Sequence, residues 1–174
     1  IMDLKKIKNS IRTVPDFPKK GIQFKDISTL LQNPIAFDKI INKFFEKFRT
    51  KKIDTVVGIE SRGFIFGSPL ALKLGCPFVM VRKPGKLPWD TLSEEYDLEY
   101  GKDQLEIHSD AINKNEKILI VDDLLATGGT ALATAKLVNR LGCEEISFCF
   151  LITLIDLDGK KLLKPYNVFS LLEF

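Results

Sequence analysis

The stretch VDDLLATGGT, residues 121–130, decides the fold of this chain. The apolar run Ile118–Val121 leads into it and predicts a buried strand. Two adjacent carboxylates follow, and then a glycine pair between two threonines that precedes a predicted helix, Thr130–Leu141. A strand, a polar turn and a helix in this order are typical of α/β proteins with a parallel sheet.

The turn between this strand and helix has the composition of a phosphate-binding loop. Gly128 and Gly129 let the backbone turn tightly with its N–H groups facing inward, and Thr127 and Thr130 add hydroxyl donors. The helix N-terminus adds unpaired N–H groups and the positive end of its dipole. The sequence therefore predicts that a monophosphate binds at this loop.

The acidic pair, Asp122 and Asp123, lies a few residues before the loop. These carboxylates are suited to accept hydrogen bonds from vicinal hydroxyls, or to face a cation. A diol at one end and a monophosphate at the other describe a ribose 5-phosphate.

Each part alone also has a simpler interpretation. A Gly-Gly-Thr sequence before a helix is often only a turn with an N-cap, and two carboxylates after a strand ligate magnesium in unrelated phosphatases. The complete string is more specific than either part. The two common glycine-rich nucleotide motifs, G-x-x-x-x-G-K-[ST] and G-x-G-x-x-G, do not occur.

The remaining sequence alternates predicted strands with predicted helices. This alternation predicts one domain, 1–174, with a mostly parallel sheet covered by helices on both faces, and ligands at the carboxyl ends of its strands. The strands besides the one at 117–123 are predicted at 54–60, 77–83, 145–154 and 168–174, with an inserted hairpin at 96–108.

Two further segments are predicted to cover the sheet edge. The polar, Pro- and Gly-rich segment Lys83–Glu95 is long for a loop and predicts a mobile lid. The N-terminal segment predicts a small cap, with a short amphipathic helix around Ile7, a loop at 13–24, and a helix that starts at Pro34 after an Asn33 cap.

Composition excludes several classes of protein. The net charge is only +3 and the lysines are spread along the chain, which argues against a dedicated nucleic-acid binder. No apolar run has the length of a membrane span, and no signal peptide is evident, so neither nucleic acid nor a membrane is expected as a partner. Three cysteines without zinc-ligand spacing predict buried free thiols in a reducing, cytoplasmic compartment.

The string ILIVDDLLATGGT resembles the phosphoribosyl diphosphate (PRPP) motif of the type I phosphoribosyltransferase family. The similarity extends from about Ile11 to Phe174 and is specific in order and spacing. Other stretches resemble the adenine phosphoribosyltransferase branch of that family, namely VPDFPKKGIQFKDIS, GIESRGFIFG, VRKPGKLP, DLEYG, LEIH and FSLLEF.

The resemblance implies a purine salvage enzyme. It would transfer ribose 5-phosphate from PRPP to adenine and give AMP and pyrophosphate. It also implies Mg²⁺ as cofactor and a homodimer. Because Mg²⁺ keeps much of its hydration shell, it is expected to bind mainly through PRPP oxygens and water, and no protein ligand for the metal is named.

The resemblance assigns residues to three binding regions. For the ribose hydroxyls and the 5′-phosphate these are Asp122, Asp123, Ala126, Thr127, Gly128, Gly129 and Thr130. For pyrophosphate they are Glu60, Ser61, Arg62, Arg82, Lys83 and Lys86. For adenine they are Gln23, Phe24, Lys25 and Leu154, with Gln23 and Lys25 acting through main-chain groups.

Two catalytic residues are implied in the hairpin. Glu99 matches the acid/base residue that manages a purine proton, and Tyr100 matches a tyrosine that closes over the site. Without the resemblance, Glu99 would be interpreted as an exposed strand carboxylate.

Two alternatives to an adenine enzyme stay open at this stage. Some proteins of this fold sense PRPP or purines and regulate transcription without catalysis, although they usually add a DNA-binding domain. A phosphoribosyltransferase for another base is the other alternative. Release of pyrophosphate from PRPP in the presence of each base separately distinguishes the three.

Overall fold

The computed structural model describes residues 3–97 and 101–174. The chain divides into two compact units, Ile1–Lys43 and Phe44–Phe174. That the two form a single phosphoribosyltransferase domain, with the first as a cap, stays a prediction.

The first unit begins with helix α1, Leu4–Ser10, which is capped by Asp3 through a 2.8 Å hydrogen bond from the N–H of Lys6. Ile7 is completely buried, as its helical spacing predicts. A short helix, α2, follows at Ser28–Leu31.

Between these helices lies an antiparallel pair of strands, β1 (Arg12–Pro15) and β2 (Gln23–Asp26). The prediction of a loop over 13–24 was wrong at both ends of that segment. The segment contains two prolines and a glycine, but Pro18 and Gly21 lie in the connection, and Pro15 is the last residue of its strand. Proline is tolerated at such positions because it need not donate to the ladder.

Helix α3, Pro34–Phe48, starts where its sequence predicts. The Asn33 side-chain oxygen accepts hydrogen bonds from the N–H groups of Ile35 and Ala36, each at 3.1 Å. Within the second unit, Phe44 and Phe48 are buried and make edge-to-face contacts with the ring of Phe169. The phenylalanine-rich face of this helix therefore packs in the core.

The second unit is built on a five-stranded parallel sheet in the order β4-β3-β7-β8-β9. The predicted mostly parallel α/β architecture is confirmed. The strands are β3 (Thr55–Ile59), β4 (Phe78–Val81), β7 (Lys117–Leu125), β8 (Glu145–Thr153) and β9 (Asn167–Glu173). The helices are α4 (Arg62–Leu74), α5 (Gly129–Arg140) and the short α6 (Gly159–Leu162), which a 3₁₀ turn precedes at Ile155–Leu157.

The two faces of this sheet carry different layers. On one face, Phe44 of α3 packs against Phe66 of α4 with ring centroids 6.3 Å apart. The other face carries α5, whose buried Ala135 and Leu137 share a core with Ile120 of β7 and Phe148 of β8. Parallel strands covered on both faces read as continuous apolar runs, which explains the all-buried centres of β3, β7 and β8.

The predicted hairpin is present as β5 (Thr91–Asp97) paired antiparallel with β6 (Lys102–His108). Its first strand starts earlier than expected, so the second half of the predicted lid, 91–95, is strand and not loop. The cause is packing, since Leu105 and Ile107 are fully buried in the core and hold the hairpin body against α5. Whether the segment 83–90 moves as a lid stays a prediction.

Across the described parts of the chain, 3–97 and 101–174, no helix has both the length and the apolar character needed to cross a membrane.

Candidate active site

The carboxyl ends of β3, β4 and β7 meet at one edge of the sheet and enclose a cavity of about 410 Å³. Because parallel strands end together, residues from three distant segments converge there. Its lining from the predicted set consists of Glu60, Ser61, Arg62, Lys83, Asp122, Asp123, Ala126, Thr127, Gly128, Gly129 and Thr130. The lining residues that were not predicted are Tyr96, Leu105, Leu124, Leu125 and Ala131.

The phosphate loop forms the wall between β7 and α5. Gly128 caps α5 with φ of 90°, a left-handed conformation that favours glycine. Among the described residues no side chain caps this helix, and Gly129, Thr130 and Ala131 of its first turn line the cavity, where their N–H groups need partners. Unsatisfied N–H groups and the helix dipole together suit a phosphate.

The loop is supported from behind by the segment after β8. Gly159, the first residue of α6, lies so close that a β-carbon there would overlap the carbonyl oxygen of Ala126. A β-carbon on Gly128 would in turn lie 3.0 Å from the carbonyl oxygen of Gly159. Two glycines thus allow the loop and α6 to pack backbone against backbone.

The acidic pair has two distinct environments. Asp123 is 4% exposed, and its Oδ2 lies 2.7 Å from Nε of Arg62. Asp122 accepts the N–H of Asp123 at 2.8 Å. Burial, and then the neighbouring charge of Asp123, raise the pKa of Asp122 well above its usual range. The protonated form of Asp122 is therefore favoured beside the ion pair of Asp123 with Arg62, and a protonated carboxyl both donates and accepts, which suits recognition of a diol.

Gly63 sets how closely helix α4 approaches the acidic pair. A β-carbon at position 63 would lie 2.6 Å from the carbonyl oxygen of Val121 and 3.1 Å from Oδ1 of Asp122. Only glycine permits this approach, which also brings Arg62 to Asp123.

We expect Gly63→Ala to lower the free energy of unfolding by about 1–3 kcal/mol, because backbone atoms must move to admit the methyl group. The same movement displaces Asp122 and Arg62, so KM for PRPP should rise. Urea denaturation and steady-state kinetics measure the two effects.

Gly75→Ala is the matched control. Gly75 ends α4 with φ of 73° and open space around it, so an alanine there is strained without touching the cavity. An unchanged stability and KM in Gly63→Ala would contradict this account of the helix position.

Glu60 organises the cations that follow β4. Its Oε2 accepts the N–H of Lys83 at 2.8 Å and lies 3.4 Å from Nε of Arg82, while Oε1 binds Nζ of Lys86. Burial raises the pKa of Glu60, but the hydrogen bonds from Lys86 and Lys83 together with the charges of Lys86 and Arg82 outweigh burial, and the net pKa is lowered. The ionised Glu60 therefore holds Arg82 and Lys86 beside the cavity, although neither lines it.

Tyr96 and Asp103, which sequence reasoning missed, contact the cavity lysine. Nζ of Lys83 binds Asp103 and lies 3.3 Å from the hydroxyl of Tyr96, which donates to Asp103 at 2.9 Å. A signal existed, because period-two alternation places Asp103 on the same face of β6 as the buried Leu105 and Ile107. A carboxylate that points toward the core needs a cation or a hydrogen-bond donor, because burying an unpaired charge is costly.

The residues predicted for adenine lie in different parts of the chain. Gln23, Phe24 and Lys25 form most of β2 in the first unit, where the Phe24 ring packs edge-on against Phe17 at 5.2 Å. Leu154 follows β8 in the second unit, donates its N–H to Leu125 at 3.0 Å, and borders a smaller cavity of about 160 Å³.

The two residues predicted to be catalytic, Glu99 and Tyr100, lie outside the described residues. Their neighbours in the described strands, Asp97 and Lys102, pair with each other at the end of the hairpin nearest to them in sequence.

Comparison with known proteins identifies the family. The sequence-family model described as phosphoribosyl transferase domain matches residues 26–173 of this chain. An adenine phosphoribosyltransferase of Acaryochloris marina is 55% identical over 173 residues, covering 99% of this chain and 100% of the relative. The chain belongs to the adenine phosphoribosyltransferase family.

Solved structures of adenine phosphoribosyltransferases share the whole fold. One from Thermoanaerobacter pseudethanolicus is 53% identical, with a TM-score of 0.96 and coverage of 99% of this chain and 100% of that one. One from Saccharomyces cerevisiae, crystallised with adenine and an imino-altritol bisphosphate, is 42% identical, with a TM-score of 0.91 and 97% coverage of both chains. The type I phosphoribosyltransferase fold is therefore confirmed for this adenine phosphoribosyltransferase family member.

Proposed function

We propose that this pentosyltransferase transfers the ribose 5-phosphate unit of PRPP to adenine and so forms AMP and pyrophosphate in purine salvage. The observation that carries the proposal is one cavity with three chemically distinct regions. A phosphate loop, a carboxylate pair and the cations Arg62 and Lys83 all line it. These three groups suit the 5′-phosphate, the ribose diol and the diphosphate of PRPP.

The reaction makes a bond between adenine N9 and the anomeric carbon and breaks the bond from that carbon to a diphosphate oxygen. The departing group gains negative charge, and Arg62 and Lys83 line the part of the cavity where it would lie. Fixed cations stabilise such charge without reorganising during the reaction. The loop at Gly128 and the acidic pair hold the ribose 5-phosphate so that its anomeric carbon stays in place.

The proton lost from adenine needs an acceptor. We assign this role to Glu99, with Tyr100 closing over the base, because both match the family's hairpin motif DLEYG. The neighbouring strand supports the assignment, because Tyr96 of β5, three residues before Glu99, lines the cavity.

Magnesium is proposed to accompany PRPP. When bound, it would neutralise diphosphate charge and make the diphosphate a better leaving group. The carboxylates of Asp122 and Asp123 have the hard oxygen donors that Mg²⁺ prefers. Since Asp123 already pairs with Arg62, we propose that the ion is held mainly by PRPP oxygens and water.

We propose a cytoplasmic homodimer. The three cysteines are all free thiols, which suits the reducing cytoplasm. A homodimer is proposed from the family resemblance. The edge strand β4 supports it, because Met80 on that strand and Leu72 on α4 are 43% and 84% exposed.

The test is pyrophosphate release from PRPP and Mg²⁺ in the presence of adenine, hypoxanthine, guanine, orotate or uracil, each alone. AMP and pyrophosphate formed with adenine support the proposal. Turnover only with another base would indicate a different phosphoribosyltransferase, and PRPP binding without any turnover would indicate a sensor.

A further inference from the structure

Every cation assigned to the pyrophosphate end already faces a carboxylate of this chain. Arg62 is paired with Asp123, and Arg82 and Lys86 share Glu60. The carboxylate that pairs with Lys83 has a different origin. Asp103 lies on β6 of the hairpin, whereas the other two carboxylates lie at the carboxyl ends of strands of the parallel sheet. The pair between Lys83 and Asp103 therefore links the cavity to β6.

The geometry keeps this carboxylate at the cavity. Asp103 is directly opposite Tyr96 in the hairpin, whose hydroxyl donates to it, and its second oxygen accepts the N–H of Gln104 at 2.8 Å. The side chains of Lys83 and Asp103 are 38% and 26% exposed. The pair is thus partly withdrawn from water. Its charge interaction is therefore stronger than that of a fully exposed pair.

Both members of the pair are charged over a wide pH range. Burial lowers the pKa of Lys83, but the hydrogen bonds and charges of Asp103 and Tyr96 together outweigh burial, and the net pKa is raised. Burial likewise raises the pKa of Asp103, while the hydrogen bonds from Lys83, Gln104 and Tyr96 and the charge of Lys83 together bring the net pKa below its usual value. At neutral pH an arriving diphosphate therefore meets a lysine whose charge is already satisfied.

We propose that Asp103 is an internal counter-ion that competes with diphosphate for Lys83 and thereby sets how tightly the product pyrophosphate is held. Lys83 exchanges Asp103 for a phosphate oxygen when PRPP or pyrophosphate binds. The carboxylate then lies near the bound anion, repels it, and takes the lysine back as the product leaves. This role deepens the proposed function and rests on it.

Asp103→Asn tests the proposal because it removes the charge but keeps a group that can hydrogen-bond to Tyr96. We expect pyrophosphate with Mg²⁺ to bind about 5- to 10-fold more tightly to this variant, measured by titration calorimetry. The inhibition constant of pyrophosphate against PRPP should fall by the same factor. A purely structural role for Asp103 predicts the opposite, since loosening Lys83 would weaken binding of the anion.

Glu95→Gln is the matched control. Glu95 lies on the same hairpin, carries the same charge, and pairs with exposed Lys102 at 3.5 Å, away from the cavity. Its affinity for pyrophosphate should stay within about twofold of the wild type, because exposed pairs contribute little. Should Asp103→Asn not fold, Tyr96→Phe removes the hydroxyl that orients Asp103 and is expected to tighten binding to a smaller extent.

A double-mutant cycle with Lys83→Met shows whether Asp103 acts through the lysine. We expect most of the effect of Asp103→Asn to disappear in that background. Unchanged or weaker pyrophosphate binding in Asp103→Asn, in an enzyme that still forms AMP, overturns the counter-ion role and leaves the proposed function standing. A wild type that binds no pyrophosphate overturns both.

Discussion

Adenine is expected to be used with a kcat/KM about 10⁴-fold higher than hypoxanthine or guanine. We attribute this preference to the proposed contact of adenine with the extended backbone of β2. In a strand, the C=O of one residue and the N–H of the residue two positions later point to the same edge. Gln23 and Lys25 therefore present an acceptor and a donor side by side.

This pair of main-chain groups matches adenine and opposes the other purines. Adenine offers an amino donor at C6 and an unprotonated acceptor at N1. Hypoxanthine and guanine offer a carbonyl acceptor at C6 and a donor at N1, so acceptor meets acceptor and donor meets donor. Each unpaired buried group costs about 1–3 kcal/mol, and side-chain substitution cannot reverse a pattern set by the backbone.

Steady-state kinetics with the three purines measure this preference, and two variants serve as controls. Gln23→Val should barely change the ratio between adenine and hypoxanthine, because the proposed contact uses the main chain. Glu99→Leu should lower kcat with adenine severely while leaving the order of preference intact. Comparable kcat/KM values for adenine and hypoxanthine in the wild type would show that the base site is assigned wrongly.

The double variant Asp122→Asn with Asp123→Asn should lose about 10²-fold in kcat/KM for PRPP, since a hydrogen bond to a charged carboxylate is worth about 1.5–3 kcal/mol and one to a neutral carboxyl about 0.5–1.5 kcal/mol. The fold should persist. Burial and the charge of Asp123 already disfavour the ionised form of Asp122, so a neutral asparagine fits that position. Arg62 loses the carboxylate of Asp123, but its side chain is 43% exposed and can be solvated by water.

Glu144→Gln with Glu145→Gln provides a matched control for that variant. These two adjacent carboxylates lie at the start of β8, whereas the cavity lies at the carboxyl ends of the strands. Both are more than half exposed, and both contact Lys117. This control variant should leave PRPP use unchanged. Kinetics together with urea denaturation decide the outcome, and a folded Asp122/Asp123 variant with wild-type affinity for PRPP would refute the diol assignment.

The sequence was sufficient where local pattern and function coincide. The apolar run before Asp122 and the glycines before α5 each demand one local structure, so strand, loop and helix could be predicted together. The convergence of Glu60, Arg62 and Lys83 on that loop also followed, because parallel strands end at a common edge.

The errors arose where packing overrode composition. Prolines and glycines around β1 and β2 concealed a strand pair, and the polar residues of 91–95 concealed a strand fixed by the buried Leu105 and Ile107. Asp103 was missed for a related reason. Its importance depends on the exact pairing of the hairpin, which places it opposite Tyr96, and a pattern of alternation does not determine which residues face each other across two strands.

The contact between Gly159 and the phosphate loop has a consequence for protein engineering. The loop resembles a portable motif, but its shape is completed by a segment that lies far along the chain. A library that varies only residues 126–130 explores conformations that α6 already restricts. Transplanting this loop onto another scaffold therefore requires a second chain segment that packs behind the loop. That segment needs a glycine at the position of Gly159.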